Sequence, residues 1–137
     1  MTQHRLVVLG SMDEFVELVK LARRQGIYTI VCDGYENGPA KAFADKAYTI
    51  DVRDIDGVAD MCRAEQADGI IASFSDLLAE CLVNIAAKAG LKCYCTPEKI
   101  RYLREKPLMK EMFRQLGVPT PTSIRLNADF ADEELNA

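Results

Sequence analysis

Tryptophan is absent from the 137 residues, and histidine occurs once, as His4, beside the N-terminus. No G-x-S-x-G occurs to raise a serine nucleophile, and His4 has no plausible base role, so triad-type hydrolase chemistry has no support. A G-x-x-x-x-G-K-[ST] phosphate loop is missing as well. Excess positive charge is lacking: 17 Lys and Arg stand against 21 Asp and Glu, a net charge of −4. That balance argues against a nucleic-acid partner or an anionic membrane surface, both of which need clustered cations. The first apolar run, Leu6 to Leu9, is too short for a signal-peptide core or a membrane span, so a cytoplasmic protein is expected.

The five cysteines, Cys32, Cys62, Cys81, Cys93 and Cys95, are odd in number and sit inside apolar patterns. They read as reduced core thiols rather than a disulfide framework. Cys93 and Cys95 would share one face of a strand, but neither a second cysteine pair nor a nearby histidine completes a zinc site, and no metal is expected.

What the sequence does contain is an alternation of short apolar runs and helical stretches, enough for one domain with a real core. Leu6–Leu9 is a continuous apolar run closed by Gly10, as in a strand buried on both faces. Ser11 and Glu14 have capping-box spacing, and Phe15, Val19 and Ala22 then recur at helical spacing up to Gly26. Further strands are expected at Tyr28–Cys32, Ala47–Ile50, Gly69–Ser73 and Lys92–Cys95. A short helix is expected over Ala40–Asp45, and longer ones over Ile55–Cys62, over Leu78–Ala89 with Gly90 as its stop, and after the Thr96-Pro97 cap. This pattern predicts an α/β fold: an open, five-stranded parallel sheet, Rossmann-like, with helices on both faces, right-handed crossovers and a strand order near 3-2-1-4-5.

Such sheets bind ligands beyond the C-terminal ends of their strands. Those ends nominate Gly10, Ser11, Asp33, Ser75 and Asp76 as substrate-binding residues. Gly10 allows close backbone approach, and Ser11 precedes helical N–H groups that could face an anion. Asp33 stands 23 residues after Gly10, where a dinucleotide fold places its ribose-binding acid. The turn itself reads Gly-Ser-Met-Asp-Glu-Phe rather than G-x-G-x-x-G, and Asp13 and Glu14 would repel a pyrophosphate. Ser11, Asp33 and Asp76 can equally be capping or turn residues. Asp51 follows the third strand as in a phosphoacceptor domain, but Gly10-Ser11 replaces the acidic pair such a domain requires.

The segment after Glu98 is the most distinctive. Met109, Met112, Phe113 and Leu116 form a helical stripe with Lys110, Glu111, Arg114 and Gln115 outside it. Gly117 ends the helix, and Pro119 and Pro121 impose an extended exit. Lys106, Met109-Lys110, Phe113 and Leu116-Gly117-Val118-Pro119-Thr120-Pro121 together resemble the "(D/N)-K…(M/F)-(K/R)…G-(V/I)-P-x-P" passage of ATP-grasp enzymes. Carbamoyl-phosphate synthase, biotin carboxylase and purine-pathway ligases belong to that superfamily. The upstream sheet resembles their N-terminal, pre-ATP-grasp domain. Within the superfamily, Gly26–Asp33 and Asp68–Ile71 look most like carbamoyl-phosphate-synthase-like proteins.

The resemblance implies a pre-ATP-grasp domain over 1–105, a connecting helix and exit over 106–121, and over 122–137 the start of a linker to an ATP-grasp domain beyond residue 137. It implies ATP and Mg2+ as cofactors of a longer enzyme, with none bound by this part alone. It also implies a cofactor-binding role for Lys106, although Glu105 stands where Asp or Asn is usual and Pro107 follows. The implied chemistry is carboxylate–amine ligation through an acyl phosphate, with a small-molecule substrate held at the strand ends. The linking helix is expected to expose apolar surface, so self-association into a homo-oligomer is a further expectation. Two other readings remain open at this point: a stand-alone small-molecule or nucleotide-binding module, and a protein-interaction domain docking through Met109 and Met112.

Overall fold

The computed structural model describes residues 3–124; the expected acidic, alanine-rich stretch from Leu126 to Ala137 lies outside them. Four parallel strands form one sheet: β1 (Arg5–Leu9), β2 (Tyr28–Cys32), β3 (Lys46–Tyr48) and β4 (Gly69–Ile71), in the order β3-β2-β1-β4. Val7 lies between Ile30 and Ile70, and Val8 between Val31 and Ile71. The fifth expected strand does not form. Lys92 makes a single parallel bridge to Gly69, on the outer side of β4, and the chain then turns away. Five residues separate the left-handed cap Gly90 from the next helix cap, Thr96, and the chain leaves the edge of β4 after the single Lys92 bridge to enter α4.

The helices are α1 (Val16–Arg24), α2 (Ile55–Ala64), α3 (Asp76–Ala89), α4 (Pro97–Arg104) and α5 (Lys106–Gln115). Because side chains alternate across a strand, successive residues of β1 and β2 enter opposite cores. Val7, Leu9, Ile30 and Cys32 pack with the apolar faces of α2 and α3, including Val58, Cys62, Leu82 and Ile85. Val8 and Val31 pack with Phe15, Val19 and Ala40 on the other side. The strands therefore read as unbroken apolar runs because both faces are covered. Each fully buried Val or Leu contributes about 1.5–3 kcal/mol relative to exposure.

Local chemistry sets the helix starts. Asp54 caps α2 by accepting from Gly57 N, Ser75 caps α3 and Thr96 caps α4. Two expected elements differ. The segment Asp13–Phe15 is a 3-10 turn leading into α1, and Pro39–Phe43 is a 3-10 turn rather than an α-helix over Ala40–Asp45. Cys32, Cys62 and Cys81 are buried free thiols. Burial pushes Cys32 up to about 12 and Cys62 up to about 11, so neither forms a thiolate near neutral pH.

At the N-terminal edge of the sheet, Glu65 is a buried carboxylate held by three strand residues. Lys46 and the Tyr48 hydroxyl donate to Oε1, and Arg5 donates to Oε2 at 2.7 Å. Arg5 also lies 4.4 Å over the Tyr28 ring. The Lys46 and Tyr48 hydrogen bonds, with Arg5, outweigh burial and hold Glu65 down at about 2, from an ordinary 4.5. A carboxylate depressed in the folded state stabilises it above the unfolded pKa and stops doing so as pH falls through the folded one. Glu65→Gln is therefore expected to cost about 2–4 kcal/mol at pH 7, below the roughly 3–5 kcal/mol of a fully buried broken pair because Arg5 and Lys46 are partly exposed. The gap between wild type and variant should shrink as pH is lowered from about 4.5 toward 2. Urea denaturation across that range checks this; a gap independent of pH would show that Glu65 acts through packing alone.

Candidate functional site

The sheet's wiring creates a crevice. From β1 the chain moves outward through β2 to β3, then returns across the sheet to β4 on β1's other side. Connections leaving β1 and β4 thus diverge, and their C-terminal ends open a cleft of about 440 Å³. It is lined by Gly10 after β1, Asp33 to Tyr35 after β2, Asp51 to Arg53 after β3, and Ser75, Leu77 and Leu78 after β4. Met12, Glu14 and Phe15 close the side next to α1.

Gly10 has φ +113°, a left-handed conformation that disfavours any side chain. A Cβ there would also stand 2.6 Å from the Phe15 ring, so the glycine lets that ring seal the cleft floor. Phe15 in turn meets Phe74 edge-on at 5.8 Å. Phe74, largely exposed, itself has a positive φ of 65°, a strained backbone placed where β4 hands over to α3.

Ser11 is not the helix cap that its spacing with Glu14 suggests; Met12 occupies the cap position of the 3-10 turn and makes no side-chain bond. Ser11 is instead fully buried, and its Oγ donates to Asp33 Oδ2 at 2.9 Å. Asp33 Oδ1 accepts from Tyr35 N at 3.2 Å, closing a tight turn after β2. Ser11 O accepts from Ala40 N at 2.8 Å, which folds the glycine-rich loop back over Ser11. Lys41 Nζ donates to Asp33 O at 3.1 Å, to Thr49 Oγ1 at 2.9 Å and to Tyr35 O, tying that loop to the residues after β3.

Of the residues nominated from sequence, Gly10, Asp33 and Ser75 line the cleft, and Ser11 supports Asp33 from beneath. Asp76 is the first residue of α3 and is not among the lining residues. Lys106 lies apart, in a groove of about 410 Å³ with Pro107, Lys110, Glu111, Arg114, Ser123 and Ile124. Arg114 pairs with Glu111 at 2.9 Å and Lys110 donates to Pro121 O at 3.2 Å; Lys106 makes no hydrogen bond or ion pair among the described residues. A groove with three cations along one helix suits an anionic, phosphate-bearing group.

Tyr35 and Arg53 are not singled out by the sequence; Glu14 reads there as a capping-box and repelling residue and Asp51 only as a phosphoacceptor candidate. The strand-end rule would have found Asp51 and Arg53, because both closely follow the third strand.

No protein-family profile matches the sequence. Among curated proteins, the chain is 31% identical over 134 residues to the formate-dependent phosphoribosylglycinamide formyltransferase of Methanocaldococcus jannaschii, covering 96% of this chain and 33% of that one. Among solved structures, phosphoribosylglycinamide synthetase from Anaerococcus prevotii superposes with a TM-score of 0.76 at 25% identity, over 98% of this chain and 35% of that one. The chain corresponds to the N-terminal, pre-ATP-grasp domain of ATP-grasp ligases. The pre-ATP-grasp domain thus spans about a third of the length of the curated relatives it matches. The same fold recurs in N5-carboxyaminoimidazole synthetase from Staphylococcus aureus, a structure complexed with ADP, at a TM-score of 0.67 and 17% identity over 85% of this chain and 31% of that one. Within the described residues of this pre-ATP-grasp domain, no helix is long and apolar enough to cross a membrane, and no group of three or more metal-ligating side chains is found.

The Ser11–Asp33 bond fixes the cleft wall of the pre-ATP-grasp domain only if the loop can close over it. Gly38 has an ordinary φ of −62°, so any residue could adopt its backbone, but a Cβ there would stand 1.8 Å from Ser11 Oγ. Gly38→Ala is therefore expected to destabilise by about 1–3 kcal/mol through overpacking. Amide shifts of Asp33, Gly34 and Tyr35 should move with it, read by NMR. Unchanged shifts there would show that the loop does not set the Asp33 turn.

Proposed function

We propose that this chain is the substrate-side domain of an ATP-dependent carboxylate–amine ligase and holds a small-molecule substrate in the strand-end cleft. The observation that supports this best is the cleft itself. It lies at the switch point of a sheet that corresponds, over nearly its whole length, to the N-terminal third of such ligases. In the reaction this implies, an acid becomes an acyl phosphate and an amine displaces the phosphate. The work asked of this domain is to bind and orient one reactant beside the reacting atoms. Gly10 gives the substrate close backbone approach, Asp33 presents a carboxylate fixed by Ser11 and Tyr35 N, and Ser75 contributes its hydroxyl from the α3 cap.

ATP and Mg2+ would be held chiefly by residues outside the 137. From this chain, Lys106 would face the ATP phosphates, with Lys110 and Arg114 on the same groove. An ammonium on a flexible stem suits that role, and this one is not engaged by a carboxylate among the described residues. When bound, ATP supplies the phosphoryl group that activates the acid. In this reading 106–121 is the passage between domains: α4 ends at Arg104, α5 begins at Lys106, and α5 has no buried residue.

The test compares residues 1–137 with the protein encoded by the complete reading frame. The long form should hydrolyse ATP only when its acid and amine are both present, and the short form should not turn over. Lys106→Ala in the long form should raise KM for ATP on the order of 10-fold, the cost of losing one charge-assisted phosphate contact. Robust ATP turnover by residues 1–137 alone would overturn the proposal. So would a Lys106→Ala enzyme with unchanged ATP kinetics, for that residue's role.

A further inference from the structure

We propose that Asn37-Gly38 is a site of spontaneous covalent modification, at which Asn37 loses its side-chain amide through a cyclic imide and returns as isoaspartate, releasing the loop that packs on Ser11. The site does not depend on what the cleft binds.

An Asn-Gly pair ordinarily marks a tight turn in which both residues take positive φ. Here it serves no such turn. Gly38 has φ −62° and ψ 131°, the extended conformation that a following proline favours, and Asn37 is not among the residues with positive φ. What the fold requires of Gly38 is its missing side chain, since a Cβ would stand 1.8 Å from Ser11 Oγ. Asn37 is exposed, and its side chain makes no hydrogen bond among the described residues. The Gly38 N–H likewise donates to no acceptor among them.

These unengaged groups are the reactants. With no Cβ to shield it, the Gly38 nitrogen gives up its proton to solvent base and attacks Asn37 Cγ; the bond from Cγ to the side-chain nitrogen breaks, and ammonia leaves. Water then opens the imide. Opening at the Asn37 backbone carbonyl leaves an α-carboxylate and routes the chain through Cβ and Cγ, which is isoaspartate. Opening at Cγ gives ordinary aspartate. The net change consumes water and releases ammonia, with no oxidant or reductant. Water reaches the pair, because both residues line a surface groove of about 470 Å³ with Met12, Tyr35, Glu36 and Pro39.

The structure also sets the consequence. The loop is tied down on both sides of the pair: Asp33 Oδ1 accepts from Tyr35 N at 3.2 Å, and Ala40 N donates to Ser11 O at 2.8 Å. Lys41 Nζ adds bonds to Asp33 O and Tyr35 O. A loop held this way has no slack for an added backbone carbon, and the new carboxylate follows Glu36 directly in the chain. Gly38 therefore leaves Ser11, and the Ser11–Asp33 wall of the cleft moves with it.

The test ages residues 1–137 in mildly alkaline buffer and follows Asn37 by peptide mass mapping and NMR. Asn37 should gain the mass of an amide turned to an acid and lose its side-chain NH2 signal, and isoaspartate-specific methylation should label the product. Asn84 should stay intact, because its side chain donates to Glu80 O at 2.9 Å and the β-branched Ile85 shields the attacking nitrogen. Amides of Asp33 and Ala40 should shift in step with conversion, while those of Val7 and Ile30 in the core stay in place. Asn37→Gln, which must close a larger and slower-forming imide, should show neither change. Freshly prepared Asn37→Asp carries the charge without the extra backbone carbon and should leave Asp33 and Ala40 close to their wild-type positions. An Asn37 that persists in the folded chain yet converts in urea would overturn the site, since the fold then holds the nitrogen away. Conversion with no shift at Asp33 or Ala40 would sink the coupling to the cleft wall. Asn37→Asp reproducing those shifts in full would rule out the backbone rearrangement as their cause.

Discussion

Val7, Val8 and Leu9 lose all contact with solvent because β1 is hydrogen-bonded to β2 on one edge and to β4 on the other, with packed layers on both faces. A strand buried that fully must sit in the middle of the sheet. The chain leaves it toward β2 and β3 on one side, then crosses back from β3 to β4 on the other. The connections that follow β1 and β4 therefore part, onto opposite faces, at the strands' C-terminal ends. The cleft is thus a consequence of placing the most apolar strand centrally, not a feature added to a finished fold.

Stability and binding are placed at opposite ends of the same strands. At the N-terminal end of β1, Glu65 draws together Arg5 with Lys46 and Tyr48 of β3, and among the described residues Arg5 Nε is left without a hydrogen-bond partner. At the C-terminal edge, Arg53 pairs only loosely with Asp51 at 3.9 Å, Glu14 pairs with no cation among the described residues, and Phe74 has a strained backbone. A protein can tolerate unpaired charge where water reaches it, and such charge is what a ligand can exploit. The two ends are joined by rigid strands, so cleft geometry inherits the precision of the core.

The C-terminal helices behave differently from the rest. Ile100 anchors α4 in the core beside α3, whereas α5 packs on α4 without burying any residue. Tyr102, Leu103, Leu116 and Val118 remain substantially exposed around it. A helix with an apolar stripe and no buried residue contributes little to its own domain. That arrangement suits a passage whose second contact surface lies elsewhere, which is how 106–121 is read above.

The residues declare the α/β class, the positions of β1 and β2, the caps at Thr96 and Gly90, and the glycine-proline exit, because each depends on local sterics or on hydrophobic period. Strand ends are also legible as a general location, which is how Gly10, Asp33 and Ser75 came to be nominated. Local sequence failed where a distant partner decided the outcome. Ser11 has the spacing of a cap, yet Asp33, 22 residues away, offers a buried acceptor that outcompetes the helix start. Lys92–Cys95 has strand composition, but after one bridge to Gly69 the chain turns away toward the Thr96 cap. Arg53 looks like an ordinary solvated charge until the return to β4 brings Ser75 and Leu78 across from it to make a wall. Periodicity and capping are written into neighbouring residues, so the sequence by itself determined most of the helices and the two central strands, but not the edge of the sheet or the turns around Ser11 and Ala40. The cleft's charge pattern required tertiary structure, because only the order of the strands brings Glu14, Asp33 and Arg53 around one space.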